Sequence, residues 1–382
     1  MTQYNRNDQN VNAQFNFGRD TIIYNWVNEE FSIIAFSLFI LAFLFGFLLQ
    51  NPGLIIPVDR TAFPDQVYNF IRNTSPWLEH SYFSDGIVRR VFLGTFFSPI
   101  PEPFRQALFI AFCIGGYFAI FGVAVRLANL SENSNFLLKV CVLIYAVSSA
   151  GAMNLGWLIG YFETINYGVM VLAIFLIFRN RLFLASLALS VGILIHESFL
   201  FVGLPLCAAV FVTKSNNLKL ANLLSLMFVP LGLSIYLLFF GASNIQAMGA
   251  SRTTLFQPMH FSLIDYSISL LFLGSLFFLH ARAFKMMGLR WDALFFAPYI
   301  GCALFLMGVD YMRWISIIFV SVIASIFSAS MVHRQQIVWQ ENSIGRAELF
   351  ALVLCAFPFL GPLGNTHAFL AFHQILTLIG IG

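Results

Sequence analysis

Apolar stretches long enough to cross about 30 Å of hydrocarbon as helices, at about 20 residues each, fall at 31-50, 107-125, 140-161, 220-240, 263-280, 293-309 and 314-331. Shorter apolar runs lie at 167-178, 183-212 and 348-382. As one helix, 183-212 would measure about 45 Å, longer than a bilayer needs. The polar pair His196-Glu197 interrupts it, so the pattern predicts two short helices, 182-195 and 198-213, meeting there. The tail predicts two more, parted by 361-GPLGNTH-367. The expected fold is all-α: a polytopic integral membrane helical bundle of about eleven or twelve transmembrane helices, some short or broken. Residues 1-30 make a polar amino-terminal segment, and 31-382 a single transmembrane domain with one large outer loop at 51-106.

Composition supports the same class. Of 382 residues 59% are apolar and 10% charged, against about 25% charged in an average soluble domain. With 46 Phe the chain has too few polar side chains to cover a soluble sphere, so lipid is expected as the outer solvent. The net charge of +3 and the lack of any basic tract argue against a nucleic-acid partner. The five cysteines, Cys113, Cys141, Cys207, Cys302 and Cys355, sit singly in apolar runs, which fits neither a disulfide framework nor a zinc site. Residues 1-30 are Asn/Gln-rich without a basic n-region, so the first span is expected to be retained rather than cleaved.

Orientation follows from the basic residues. With the amino terminus cytoplasmic, thirteen of the twenty Lys and Arg fall in inner segments, from Arg6 and Arg19 to Arg334 and Arg346. Seven fall outside, and five of those lie in the long 51-106 loop, which counts little in such a comparison. Within that loop, 86-GIVRRVFLGTFF-97 has the pattern of an interfacial amphipathic helix.

Ionisable groups at membrane depth are costly and tend to face a cavity or a partner. In this topology Glu163, His196, Glu197, Asp310 and Arg313 all lie at outer helix ends, level with a loop carrying Asp85, Arg89 and Arg90. That convergence predicts a polar chamber open to the exterior. Asp85 and Arg89 are spaced i,i+4 and Asp310 and Arg313 i,i+3, so each pair shares a helix face; an ion pair of purely structural purpose explains the same spacing. Arg89 and Arg90 together suit the oxygens of a lipid phosphate or pyrophosphate. His196 and Glu197 suit proton transfer and sugar-hydroxyl contacts, or simply cap the two short helices. Glu163 reads equally as an acidic group of the chamber or as an acceptor before a helix starting at Tyr167. Arg252, among small polar residues in the outer 241-262 loop, is a supporting candidate or a solvated side chain. The remaining histidines show no metal-ligand spacing, and neither a nucleophile elbow nor a phosphate-binding glycine loop occurs. No cofactor is indicated, and a divalent metal is optional, because arginines can supply the positive charge.

The run 181-RLFLASLALSVGILIHESFLFVGLPL-206, a basic turn, a short helix, His at its end and a second short helix with Pro, resembles a segment of EpsG-like and O-antigen-polymerase (Wzy-like) membrane proteins of bacterial envelope polysaccharide pathways. More broadly the layout is similar to the GT-C superfamily of polyprenyl-phosphate-dependent glycosyltransferases. The resemblance covers about 107 to 331, and its sharpest feature is His196-Glu197-Ser198. It implies a GT-C-like enzyme in the bacterial inner membrane that transfers sugar on the outer face from a polyprenyl-linked saccharide donor to a glycan acceptor, working with other polysaccharide-assembly membrane proteins. Asp85 would be the base in the first outer loop, although this chain lacks the adjacent acidic pair of many GT-C members. Arg89, Arg90 and Arg313 would hold the pyrophosphate. The rival reading is a lipid-linked sugar flippase or small-solute transporter, and a third is a scaffold subunit whose charges are individually dispensable.

Overall fold

The computed structural model describes residues 30-50, 100-101, 104-130, 136-148, 150-151, 163-215, 220-247, 263-306, 311-334, 336-337 and 344-356. Everything described is helix, turn or short connection, and the fold is all-α. The helices are α1 (Phe31–Gln50), α2 (Phe104–Leu130), α3 (Phe136–Val147), α4 (Glu163–Phe178), α5 (Leu182–Ile195), α6 (Gly203–Lys214), α7 (Leu220–Ala247), α8 (Leu263–Met286), α9 (Ala293–Phe296), α10 (Tyr311–Val332) and α11 (Arg346–Ala356). A 3₁₀ turn, Glu197–Leu200, stands between α5 and α6, and a 3₁₀ stretch, Ala297–Leu306, continues α9. The interfacial segment 86-97 and the tail beyond 356 lie outside the described residues.

Among the described residues, two helical stretches are long and apolar enough to cross a membrane by length and composition, Ser269–Met286 and Trp314–Val332. Shorter apolar helices include Leu182–Ile195, Ser198–Lys214 and Leu220–Ile235. The short connection 179-181 makes α4 and α5 antiparallel neighbours. α10 is the central element: it packs against α2, α6, α8 and the 3₁₀ stretch after α9, and it is buried along most of its length. An aromatic string ties it to the far side of the bundle. Phe39 stacks on Tyr117 at 4.4 Å, Tyr117 lies 6.2 Å from Tyr145, and Tyr145 meets Phe319 of α10 edge-on at 4.8 Å. Such ring pairs prefer offset or edge geometry because their quadrupoles repel face to face.

The apolar sides of several helices face outward. Phe183 is 78% and Phe228 73% exposed, on the neighbouring helices α5 and α7. Two backbone approaches set the half of the bundle that matters below. α2 and α4 cross so closely that a Cβ on Gly116 would collide with the Thr164 carbonyl oxygen, a crossing only a small residue permits. The Phe199 ring fills the space between Gly192 and Gly203, where a Cβ on either glycine would strike it. That ring wedges the 3₁₀ turn between the end of α5 and the start of α6.

All five cysteines are free thiols. They occupy buried or half-buried positions, as their apolar surroundings in the sequence suggest.

Candidate functional site

α5 ends at Ile195, and His196 breaks away in an extended conformation, φ −158° and ψ 134°. The reason is local. The His196 side chain caps the following 3₁₀ turn, its Nδ1 accepting the Ser198 backbone N–H at 3.1 Å. The Ser198 hydroxyl lies 2.8 Å from the same Nδ1. An Nδ1 that accepts an N–H carries no proton, so the hydroxyl donates to it and the neutral ring keeps its proton on Nε2. His196 is therefore a capping group in this structure, and Nδ1 is committed to Ser198. His196 and Ser198 are each 3% exposed.

α4 begins at Glu163, four residues before the start expected at Tyr167. This puts Glu163 on the first turn of the helix rather than ahead of it. One turn further on, Asn166 and Tyr167 line a cavity of about 10 Å³ together with Ser198, Phe199, Val202, and Ile317 and Val320 of α10. That volume admits about one water-sized group. Asn166 is 5% exposed, and neither its Nδ2 nor its Oδ1 has a hydrogen-bond partner.

Register relates the sequence candidates to this cavity. Glu163 holds the position i−3 from Asn166 on α4. Arg313 holds i−4 from Ile317 and i−7 from Val320 on α10, one helical face. Glu197 directly precedes Ser198 in the 3₁₀ turn. The three elements that line this cavity thus carry Glu163, His196-Glu197 and Arg313 within one or two turns of it in register, and the side chains of Glu163, Glu197 and Arg313 lie outside the described residues. Asp85, Arg89, Arg90, Arg252 and Asp310 lie outside the described residues.

Asn166 is the residue that sequence reasoning missed. Its signal was its place: a polar amide one turn after Glu163, in the polar first turns of a helix that is apolar beyond Gly168.

The opposite end is built differently. Lys214, at the end of α6, donates to the carbonyls of Ile177 at 2.8 Å and Phe178 at 3.0 Å and to Asn180 Oδ1 at 2.7 Å. These carbonyls belong to the last turn of α4, where the helix has no internal donors for them. Asn180 adopts φ 56°, and the Arg181 N–H returns to the Leu176 carbonyl at 2.9 Å, a left-handed closure that Asn tolerates. Asp292 caps α9 by accepting the Leu294 and Phe295 N–H groups at 2.9 and 3.3 Å. Arg282 pairs with Glu348 at 2.7 Å.

His280 completes that contrast. It is 1% exposed, stacked on Phe295 at 4.6 Å, with Tyr299 OH 3.0 Å from Nδ1 and Ser325 Oγ 3.3 Å from Nε2. Ser325 itself donates to the Leu294 carbonyl at 2.6 Å. Ser325 therefore accepts from Nε2–H and Tyr299 donates to Nδ1, which satisfies both ring nitrogens. This is a core histidine.

Among the described residues, no three His, Cys, Asp or Glu side chains gather closely enough to hold a metal ion. Comparison of the chain with protein-family models, curated proteins and solved structures finds no match.

Proposed function

We propose that the chain is a polytopic protein of the bacterial inner membrane, a glycan polymerase or glycosyltransferase using a polyprenyl-(pyro)phosphate-linked sugar donor at the outer face. The observation that carries this reading is the Asn166 cavity, lined by early turns of α4 and α10 and by the 3₁₀ turn, the elements on which Glu163, His196-Glu197 and Arg313 fall in sequence, at the end away from the basic helix ends. Support for the membrane setting comes from the outward apolar side chains of α5 and α7. Support for the orientation comes from Arg179, Arg181, Lys214, Lys285 and Arg290, which lie in the last helical turns or the connections at the other end.

On this reading a carboxylate at 163 or 197, or Asp85, takes the proton of the acceptor hydroxyl. The hydroxyl oxygen bonds to the anomeric carbon of the donor as that carbon's bond to the phosphate oxygen breaks. Arg313, with Arg89 and Arg90 from the outer loop, stabilises the charge that develops on the departing polyprenyl pyrophosphate. No metal is required by this scheme, since the guanidinium groups provide the charge.

The test is complementation of a deletion strain with wild type, Arg313→Ala, Glu163→Gln and Glu197→Gln, followed by analysis of polymer and lipid-linked intermediates. Accumulated single repeat units identify a polymerase, and truncated units a transferase. Normal polymer from Arg313→Ala together with Glu197→Gln removes the reading. The carrier reading has one observation in its favour, the buried helix break at 196-203, because interrupted helices are also a device of transporters. An unchanged pool of lipid-linked intermediates in the deletion strain selects the carrier.

A further inference from the structure

The Asn166 amide has both a donor and an acceptor, and both are buried without a partner. An unpaired buried amide is expensive, and a protein under no other constraint replaces it by an apolar residue of the same shape at little or no cost. The surroundings make the arrangement specific. Met170, Phe199, Val202, Ile317 and Val320 give the cavity apolar walls, so a ligand group that entered would find its polar contacts at few points. Those points are Asn166 and Ser198. The Ser198 proton is engaged by His196 Nδ1 at 2.8 Å, which leaves the hydroxyl oxygen as an acceptor. Asn166 adds one N–H₂ donor and one carbonyl acceptor.

A donor beside acceptors in a space of about 10 Å³ is complementary to a single hydroxyl group, which both accepts and donates. A carboxylate or phosphate does not fit. It is larger, and it would have its negative charge beside the Asn166 carbonyl and an acceptor-only Ser198. An ammonium group would meet the Asn166 N–H₂ and would carry its charge into apolar walls.

We propose that the Asn166–Ser198 cavity is the specificity pocket for one sugar hydroxyl of the lipid-linked substrate, its α4 and α10 walls one turn in register from Glu163 and Arg313. This deepens the glycan-transfer reading and rests on it. Asn166 accepts and donates one hydrogen bond to that hydroxyl, Ser198 Oγ accepts a second alternative bond, and the Phe199 wedge between Gly192 and Gly203 fixes the pocket floor. A substrate with hydrogen in place of that hydroxyl leaves the amide unpaired again, and discrimination against it follows from the same penalty.

The experiment uses the full chain in detergent and two probes: synthetic polyprenyl pyrophosphate without sugar, and the lipid-linked saccharides extracted from membranes of a strain lacking this chain. Binding of each is titrated by thermal shift for wild type, Asn166→Leu and Asn166→Asp. The expected result is tighter binding of the saccharide lipid than of the bare lipid by wild type. Asn166→Leu weakens saccharide-lipid binding about tenfold, as expected for loss of a well-made buried hydrogen bond, and leaves bare-lipid binding unchanged. Asn166→Asp, which keeps the shape but, when ionised, loses the donor and puts a charge into apolar walls, weakens it at least as much. Without ligand, Asn166→Leu melts at or above the wild-type temperature, because no native hydrogen bond is lost.

A sugar-dependent advantage that survives in Asn166→Leu overturns the proposal. So does wild type binding the two lipids equally, which leaves the lipid-phosphate reading in place. A lower melting temperature for ligand-free Asn166→Leu assigns the amide a structural role and also overturns it. Wild type that binds neither lipid overturns the glycan-transfer reading itself and the pocket with it.

Discussion

His280 and Asn166 are each a polar side chain on a largely apolar helix, and each is almost fully enclosed. Around His280, every polar atom of the ring has a partner within hydrogen-bonding distance, from Tyr299 and Ser325. Around Asn166, neither polar atom has one, and a cavity lies beside it. The difference extends to the two ends of the bundle. At the Lys214 end the charges close off helix ends or pair with one another. At the Asn166 end the chain break at His196 and an unpaired amide lie beside one aromatic wedge, Phe199.

The largest effect should come from the charges on the elements that line the cavity. Arg313→Ala and Glu197→Gln are each expected to reduce polymer formation about 100-fold or more, the scale for loss of a catalytic proton acceptor or a charge stabiliser. Membrane-extracted protein should keep its wild-type amount and melting temperature. Product measured by gel analysis of the extracted glycan, beside a quantitative blot, separates the two quantities. If amount and activity fall in parallel, the cavity end is structural like the other.

Next in size is the wedge. Phe199→Ala empties the space between Gly192 and Gly203 and should cost about 3 kcal/mol. Gly203→Ala attacks the same contact from the opposite side by forcing the ring to move. Both should lower the melting temperature and the activity together, and a wild-type melting curve for either would show that the ring does not hold the turn.

At the Lys214 end the expected changes are confined to stability. Glu348→Ala removes the partner of a half-buried Arg282 and should cost about 1–2 kcal/mol. Specific activity per folded molecule should stay as in wild type. Lys214→Met keeps the length of the side chain but abandons the carbonyls of Ile177 and Phe178. It should cost about 1 kcal/mol or less, because water reaches the site and supplies substitute bonds. A loss of activity without a loss of stability in either variant would erase the distinction between the two ends.

Much of the helical layout could be read in advance. The apolar run 183-212 was expected to split at His196-Glu197, and α5 does end at Ile195 with a new 3₁₀ turn from Glu197. The reason is that a polar pair inside a long apolar run disturbs a periodicity that depends only on near neighbours. The start of α4 was placed four residues late, because Glu163 was read as standing ahead of a helix that in fact includes it. The candidate site was legible in part. Glu163, Glu197 and Arg313 stand out in the sequence as charges near apolar runs, and they fall on the elements that line the Asn166 cavity, with their side chains outside the described residues. His196 was recognised too, but its capping bond to Ser198 depends on an extended backbone that composition does not announce.

What the sequence determined by itself was the all-helical class, the place where one helix breaks, and the residues too polar for their surroundings, since each of these follows from the chemistry of a short window. It missed that 293-306 is a short helix continued as a 3₁₀ stretch and that the second half of 183-212 becomes α-helical only at Gly203. It did not separate Asn166 from His280. Whether a buried polar atom is satisfied depends on residues far away in the chain, such as Ser325 for His280 and the α10 face of Ile317 and Val320 for Asn166. Hydrogen bonds act over about 3 Å, so only the tertiary structure, by choosing which helices touch, decided that one of these two side chains completes the core and the other opens onto a cavity.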